Sequence, residues 1–308
     1  MISFGIFITG LLSVYLFNNL LLVAAGIFLI GCGFAVVEGT LSGLLSDVNP
    51  DETSKVMNIS QMILSIGAVA GPFAALLLTD ISGSWKVIFL LMIILFGLVL
   101  VYFTKLKFGG SISKVNDNNG LISLKLFKDS IFIFLCISIF IYVGIEEGVA
   151  FWLGTYFKDM YNAGNLGAYT LSGFWASMII GRYLASRFYN KKDLFLKGGL
   201  IISLLFMIAA LLLKSSAVAN IICFAGVGLG FSAVWPIIIS ITADNYPKYT
   251  GTAMGIMMTF GAGGGIAIPF LVGLIANLSG IGTAFRVFPV LIFIILMVQR
   301  SFKSDKMP

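Results

Sequence analysis

Histidine is absent from the sequence, and only three cysteines occur among its 308 residues. Cys32, Cys136 and Cys223 are far apart and lie inside long apolar stretches, so they lack the spacing of metal ligands. No Ser/Lys, His/Glu or paired-Asp constellation of an enzyme is present either. We therefore expect no metal, no cofactor and no enzymatic activity.

Charged residues are also few, at 10% of the chain, whereas 59% of the residues are hydrophobic. Soluble domains are only about 45–50% apolar, and a helix that crosses a bilayer needs about 20 mainly apolar residues. Such stretches recur along nearly the whole chain, without the short alternating segments of a β-barrel. The pattern predicts an all-α membrane protein with ten spans, at 2–17, 20–44, 58–79, 86–104, 131–155, 167–187, 196–213, 217–242, 252–277 and 283–299.

The 19 Lys and Arg residues are sorted between the two sides of these spans. With the N-terminus inside, the outer segments hold only Lys86, Lys158, Lys214 and Arg286, and the other fifteen fall in inner segments. Because cytoplasmic loops carry the excess of positive charge, we predict a multi-pass protein of the cytoplasmic membrane with both termini inside. The excess of Lys and Arg on the inner side of the bilayer thus accounts for the net charge of +6, and nucleic acid is not expected as a partner.

An internal repeat appears when the chain is shifted by 197 residues against itself. The aligned pairs include Gly31 with Gly228, Asp47 with Asp244, Pro50 with Pro247, Gly67 with Gly264, Pro72 with Pro269 and Gly83 with Gly280. Each paired span runs in the same direction as its partner, so the repeat is parallel.

The two copies are unequal, because the spans at 131–155 and 167–187 have no counterpart in the first copy. A complete protein is therefore expected to carry two more helices, of about 65–70 residues, before Met1. The repeat also predicts the domains: a four-helix N-terminal bundle at 1–104, a polar cytoplasmic linker at 105–129 and a six-helix bundle at 130–308.

Five stretches carry a family resemblance: GCGFAVVE from Gly31, YVGIE from Tyr142, GFW from Gly173, GLGF from Gly228 and GGGIAIP from Gly263. They resemble the major facilitator superfamily, and within it the branch of fucose/proton symporters and glucose/galactose permeases. The resemblance implies a 6+6 helix bundle that works as a monomer. It also implies secondary transport of a sugar or a similar small polar solute by alternating access, coupled to a proton.

Three acids, Glu38, Glu146 and Glu147, lie well inside predicted spans. An acid there costs about 2.5–3.5 kcal/mol, so it usually faces a cavity or a partner. We predict that Glu38 and Glu146 form a proton and solute site, the alternative being a structural hydrogen bond between helices. Glu147 lies about 100° around the helix from Glu146 and is expected to meet a neighbouring helix or outer water.

The repeat maps Glu38 onto Trp235, which predicts that the two face one another across a central cavity. An acid opposite an indole suits a sugar, because the carboxylate accepts hydroxyl hydrogen bonds and the indole covers the apolar ring face. Further candidates, for which packing or interfacial anchoring is the alternative, are Gln61, Tyr142, Trp152 and Trp175.

Pro72 and Pro269 occupy corresponding positions in paired helices, each after closely spaced small residues such as Gly264. Small residues let helices approach closely and proline bends the axis, so we predict gating or packing roles for all three. The stretch from Gly67 to Pro72 also partly matches the motif of drug/proton antiporters, which makes efflux the alternative transport reaction.

Arg182 and Arg187 end the sixth predicted span beside Lys191 and Lys192. They resemble a degenerate copy of the superfamily's cytoplasmic Gly/Arg loop motif, and cationic anchors that reach the membrane interface would look the same. An inactive fragment or a membrane sensor is the remaining alternative outside transport.

Overall fold

A computed structural model describes residues 2–105 and 125–301, and all regular secondary structure in these ranges is helical. Four helices lie in the first range: α1 (Ile2–Leu16), α2 (Leu20–Val48), α3 (Thr53–Ser82) and α4 (Val87–Lys105). Eight lie in the second range: α5 (Ser130–Tyr161), α6 (Gly164–Arg187), α7 (Lys192–Leu212), α8 (Ala217–Phe231), α9 (Val234–Asn245), α10 (Thr250–Ser279), α11 (Ile281–Ala284) and α12 (Val287–Ser301). Single 3₁₀ turns at Pro50–Glu52, Tyr189–Lys191 and Pro247–Tyr249 connect neighbouring helices.

Eight of the ten predicted spans each lie on one helix, and the spans at 217–242 and 283–299 each fall on two successive helices. This confirms the all-α class. Within the described residues, seven helical segments are long and apolar enough to cross a membrane. The α1 helix, with 15 residues, is a shorter apolar helix.

The internal repeat is confirmed by the helix boundaries. A shift of 197 residues places α3 on α10, which are both 30 residues long, and Pro50–Glu52 on Pro247–Tyr249. Thr53 donates to the Pro50 carbonyl at 3.1 Å, and Thr250 donates to the Pro247 carbonyl at 3.0 Å. Both 30-residue helices end before a glycine with positive φ, 69° at Gly83 and 81° at Gly280, where a side chain would be strained.

One pair of elements departs from the repeat. The α2 helix is continuous, whereas its counterpart breaks at residues 232–233 into α8 and α9. The predicted single span at 217–242 is therefore corrected to two helices. Pro236 explains the break, because its nitrogen cannot donate to the carbonyl four residues earlier and its ring crowds the preceding turn.

The chain divides into two compact units, Met1–Leu41 with Ala70–Ser123, and Ser42–Val69 with Leu124–Pro308. In the first unit, α1 packs against α4, with the Phe7 and Phe96 rings 4.4 Å apart. A Cβ on Gly10 would lie 2.6 Å from the Gly26 carbonyl oxygen, so α1 and α2 also touch closely. The predicted division into 1–104, 105–129 and 130–308 stays a prediction, and most of its linker lies outside the described residues.

In the second unit, α5 packs along α10, and α8 packs against α6 and α7. Two glycines make the first contact possible. A Cβ on Gly264 would overlap the Phe140 carbonyl, and a Cβ on Gly144 would lie 2.7 Å from the Gly264 carbonyl oxygen. Gly264 thus lies at a helix crossing, in line with its predicted packing role.

Candidate functional site: a buried ion pair at a helix break

Arg182 is the centre of a polar cluster inside the second unit. It lies on α6, five residues before the helix ends, and only 1% of its surface is exposed. Its Nε donates to the Ser232 carbonyl at 3.1 Å and its Nη1 donates to the Gln61 carbonyl at 2.9 Å. Nη1 also donates to the Ser65 hydroxyl.

The counter-charge for Arg182 comes from α5. Glu146 Oε1 lies 3.5 Å from Arg182 Nη2, and both side chains are buried. Tyr142 is one turn earlier on α5, a spacing that places two side chains on the same helix face. Its hydroxyl lies 3.0 Å from Glu146 Oε1 and 3.1 Å from the Phe231 carbonyl oxygen, so its single proton has two acceptors within reach.

The break between α8 and α9 supplies the carbonyl acceptors. In a continuous helix the Ser232 carbonyl would accept the N–H of residue 236, but Pro236 has no N–H. The carbonyl is therefore open to Arg182, and the neighbouring Phe231 carbonyl is open to Tyr142. Broken helices of transporters expose carbonyls within the membrane in the same manner.

The first repeat copy contributes one face of α3 to the cluster. Ser65 donates to the Gln61 carbonyl at 2.9 Å and accepts from Arg182. Two further polar residues of the same face, Ser54 and Asn58, are also buried. Gln61 was predicted as a site residue from its side chain, and the structure adds its backbone carbonyl as a ligand of Arg182.

The adjacent acids have different surroundings. Glu146 is 7% exposed and paired with Arg182, whereas Glu147 is exposed on the other side of α5, with its Cγ near Gly265 of α10. Because an unpaired buried charge is costly, the Arg182 guanidinium and the Glu146 carboxylate compensate one another inside the helices.

In the described residues, the three predicted tryptophans form no hydrogen bond with Arg182, Glu146 or Tyr142. Trp235 is buried on α9, and Trp175 is half-buried with its ring 5.6 Å from that of Phe174. Trp152 donates from its indole to the Pro269 carbonyl at 2.9 Å, which ties α5 to α10. Glu38 is half-buried on α2 in the first unit, so its pairing with Trp235 stays a prediction.

Pro72 and Pro269 lie at equivalent positions within α3 and α10. Their gating role stays a prediction.

The interpretation of Arg182 as a cationic anchor that reaches the membrane interface is wrong, because its guanidinium is buried and bonded from two other helices and the helix break. Arg187, by contrast, is exposed at the end of α6 and bonds to the Tyr183 hydroxyl. The sequence interpretation also missed Ser65 and Ser232. A signal for Ser232 was present, since Pro236 frees the carbonyl four residues before it.

In the described parts of the chain, no group of three or more His, Cys, Asp or Glu side chains is placed to hold a metal ion. What the geometry offers is a fixed cation, a fixed acid and a phenol held among helices. Together these features define a multi-pass helical membrane protein with a parallel repeat and a charge-balanced polar centre.

The chain belongs to the Major Facilitator Superfamily, whose family model matches residues 1–269. A crystal structure of a variant of the Escherichia coli fucose:proton symporter superposes with a TM-score of 0.77 at 17% identity, over 97% of this chain and 83% of that one. The human organic anion transporter MFSD10 gives a TM-score of 0.71 at 15% identity, over 97% of this chain and 75% of that one. At these identities the likeness establishes the fold.

A curated relative from Helicobacter pylori, whose name assigns it provisionally to glucose and galactose transport, is 27% identical over 156 residues. The matched region covers 50% of this chain and 38% of that protein's length.

Proposed function

We propose that the protein is a secondary active transporter that moves a sugar, or a similar small uncharged polar solute, across the cytoplasmic membrane together with a proton. The superfamily supports alternating access as the mechanism. The fucose:proton symporter and the glucose/galactose relative support the solute class. The enrichment of Lys and Arg in the inner segments supports cytoplasmic termini.

The charge balance of the Glu146–Arg182 cluster is the observation that favours an uncharged solute. A guanidinium has five N–H donors. The protein engages Nε, both donors of Nη1 and one side of Nη2, and Glu146 balances the charge. An organic anion would have to displace these partners, whereas a sugar can use hydroxyl bonds and aromatic faces nearby.

Glu38 is proposed as the carrier of the coupled proton, because it is the one deep acid in the spans of the first copy. Trp235, its equivalent in the second copy, is proposed to cover the sugar ring. A neutral amide at position 38 keeps the size and the hydrogen bonding of the acid but cannot release a proton.

Transport assays in proteoliposomes, with a panel of hexoses and 6-deoxyhexoses as solutes, test this proposal. In Glu38→Gln, accumulation driven by an inward proton gradient should vanish, while exchange of labelled sugar without a gradient persists. Trp235→Ala should weaken both modes, and Trp235→Phe should restore part of them because an aromatic face remains.

Glu147→Gln and Trp85→Ala are matched controls, since both residues are exposed and neither belongs to the proposed site. Both variants should transport as the wild type does. Undiminished proton-driven accumulation in Glu38→Gln would remove Glu38 from the proton path. A panel in which no sugar is bound would favour efflux of another solute.

A further inference from the structure

We propose that Arg182 is a lock that holds α3 against the second repeat copy, and that the negative charge of Glu146 keeps this lock closed. The inference rests on the proposed function, because such a lock has a use only where the two copies move during transport. It assigns to Arg182 a positioning role between two elements, without contact with the solute.

The guanidinium bridges the two copies through its separate nitrogens. Nη1 bonds to the Gln61 carbonyl and the Ser65 hydroxyl of α3, which belongs to the first copy. Nε and Nη2 face the Ser232 carbonyl and Glu146, which belong to the second copy. Separation of α3 from α6 must therefore break the Nη1 bonds.

The closed arrangement depends on Glu146 being ionised. Two ionisable groups that face it are the Tyr142 hydroxyl from its own helix and Arg182 from α6. The packed helix α10 has no ionisable side chain, and α8 and α9 have only Cys223 and Asp244, nine or more residues from the break. Among the described residues, Glu146 is the acid paired with Arg182, and loss of its charge removes this counter-charge from the buried guanidinium.

A protonated Glu146 carboxyl group has a hydrogen-bond acceptor nearby. The energetic cost of its protonation therefore falls on Arg182, which loses its counter-charge. A neutral Glu146 can donate to the Tyr142 oxygen while the Tyr142 proton turns to the Phe231 carbonyl, 3.1 Å away. Arg182 gains no equivalent replacement. We infer that protonation drives Arg182 towards water and releases α3.

The accessibility of a cysteine at position 58 tests the lock. Asn58 is fully buried on the face of α3 that carries Gln61 and Ser65, so Asn58→Cys reports the departure of α3. In a variant without the three native cysteines, maleimide should label Cys at this position slowly. Added Glu146→Gln should raise the labelling rate about tenfold or more at fixed pH, because Arg182 loses its counter-charge.

Three controls separate release of α3 from general loosening. Glu147→Gln removes the neighbouring exposed acid and should leave the rate unchanged. Ser138→Cys, buried between α5 and α12 beside Gln299, should stay unlabelled in the Glu146→Gln background. Ser65→Ala removes one Arg182 acceptor on α3 without altering any charge, and should raise the rate by a smaller factor.

The proton dependence is read from the same thiol. The rate at position 58, divided by the rate of Ser215→Cys in an exposed turn, cancels the ionisation of the thiol itself. This ratio should rise as pH falls in the wild type, and be high and independent of pH in Glu146→Gln.

An unchanged rate in Glu146→Gln, an equal increase in Glu147→Gln, or labelling at position 138 would each overturn the lock. The readout needs no solute, so its outcome does not depend on whether a sugar is transported. A working lock without sugar transport would refute the sugar proposal alone, and sugar transport without the change in accessibility would refute the lock alone.

Discussion

Adjacent residues on one helix can have opposite environments, as Glu146 and Glu147 do. One step along α5 turns a side chain by about 100°, which places Glu146 against Arg182 and leaves Glu147 exposed. The two acids are chemically equal, yet only Glu146 has a fixed cation within 4 Å in the described residues. The environment of each acid is therefore decided by its rotation around the helix.

Tyr246 gives a prediction at the same scale, at the end of α9. Its hydroxyl donates to Asp129 Oδ2 at 2.7 Å, while Asp129 Oδ1 caps the first turn of α5. Tyr246→Phe should lower the free energy of unfolding by about 1 kcal/mol, because a half-exposed bond to a carboxylate is lost. Thermal unfolding in detergent measures it. Tyr249→Phe is the control, since the described residues show no hydrogen bond to the Tyr249 hydroxyl.

The pH dependence of this bond follows from the tyrosine. Burial first, and then the bond to Asp129, raise the pKa of Tyr246 above its ordinary value. Because the pKa of Tyr246 is raised in the folded state, the hydrogen bond contributes fully to the free energy of unfolding below the ordinary tyrosine pKa of about 10. This contribution is lost as pH rises above that value. The difference between wild type and Tyr246→Phe should be constant from neutral pH to about pH 9. A difference that changes within that range would contradict the assignment.

At the scale of elements, the α8–α9 break shows how a proline creates a site. The break removes helical bonds in the membrane, where unsatisfied carbonyls are costly. Arg182 donates to the Ser232 carbonyl, and the Tyr142 hydroxyl lies within hydrogen-bond distance of the Phe231 carbonyl. The equivalent stretch of α2 lacks a proline and is continuous, so the two copies have the same span but different chemistry.

The α5–α10 crossing gives a prediction for neighbouring glycines. Gly264→Ala should destabilise the protein by about 1–3 kcal/mol, because the new methyl group would overlap the Phe140 carbonyl. Gly263→Ala should be neutral or slightly stabilising, since its methyl group would meet the Phe140 ring at 3.5 Å and alanine favours a helix. Thermal unfolding of both variants in the same detergent measures the contrast. Equal effects would show that the helices do not cross at Gly264.

At the scale of the whole molecule, the sidedness of the chain is the testable property. Removal of the buried Arg182 from the count of inner charges leaves the excess of inner positive charge intact. We expect Asn190, in the turn after α6, to lie in the cytoplasm and Ser215, in the turn after α7, to lie outside. Both positions are exposed.

Cysteine substitutions at these two positions measure the sidedness. In intact cells, a membrane-impermeant maleimide should label Ser215→Cys and spare Asn190→Cys until the cells are opened. The reverse labelling would invert the topology and place the linker outside.

The sequence by itself determined the membrane class, the helical spans, the parallel repeat and the family. These follow from composition and from distances along the chain, such as the 197-residue offset that places Gly83 on Gly280. It also singled out Glu146, Tyr142 and Gln61, because polar groups are rare among apolar residues. Their functional roles stay predictions.

Only the tertiary structure decided that Arg182 belongs with these residues. The sequence distance from Gln61 to Arg182 is 121 residues, and from Arg182 to Ser232 it is 50 residues. Near the end of a span, an arginine can extend to water or turn into the bundle, and hydropathy is the same in both cases. The choice depends on whether an acid, a hydroxyl and open carbonyls from other helices converge at the guanidinium, and that convergence is a property of packing.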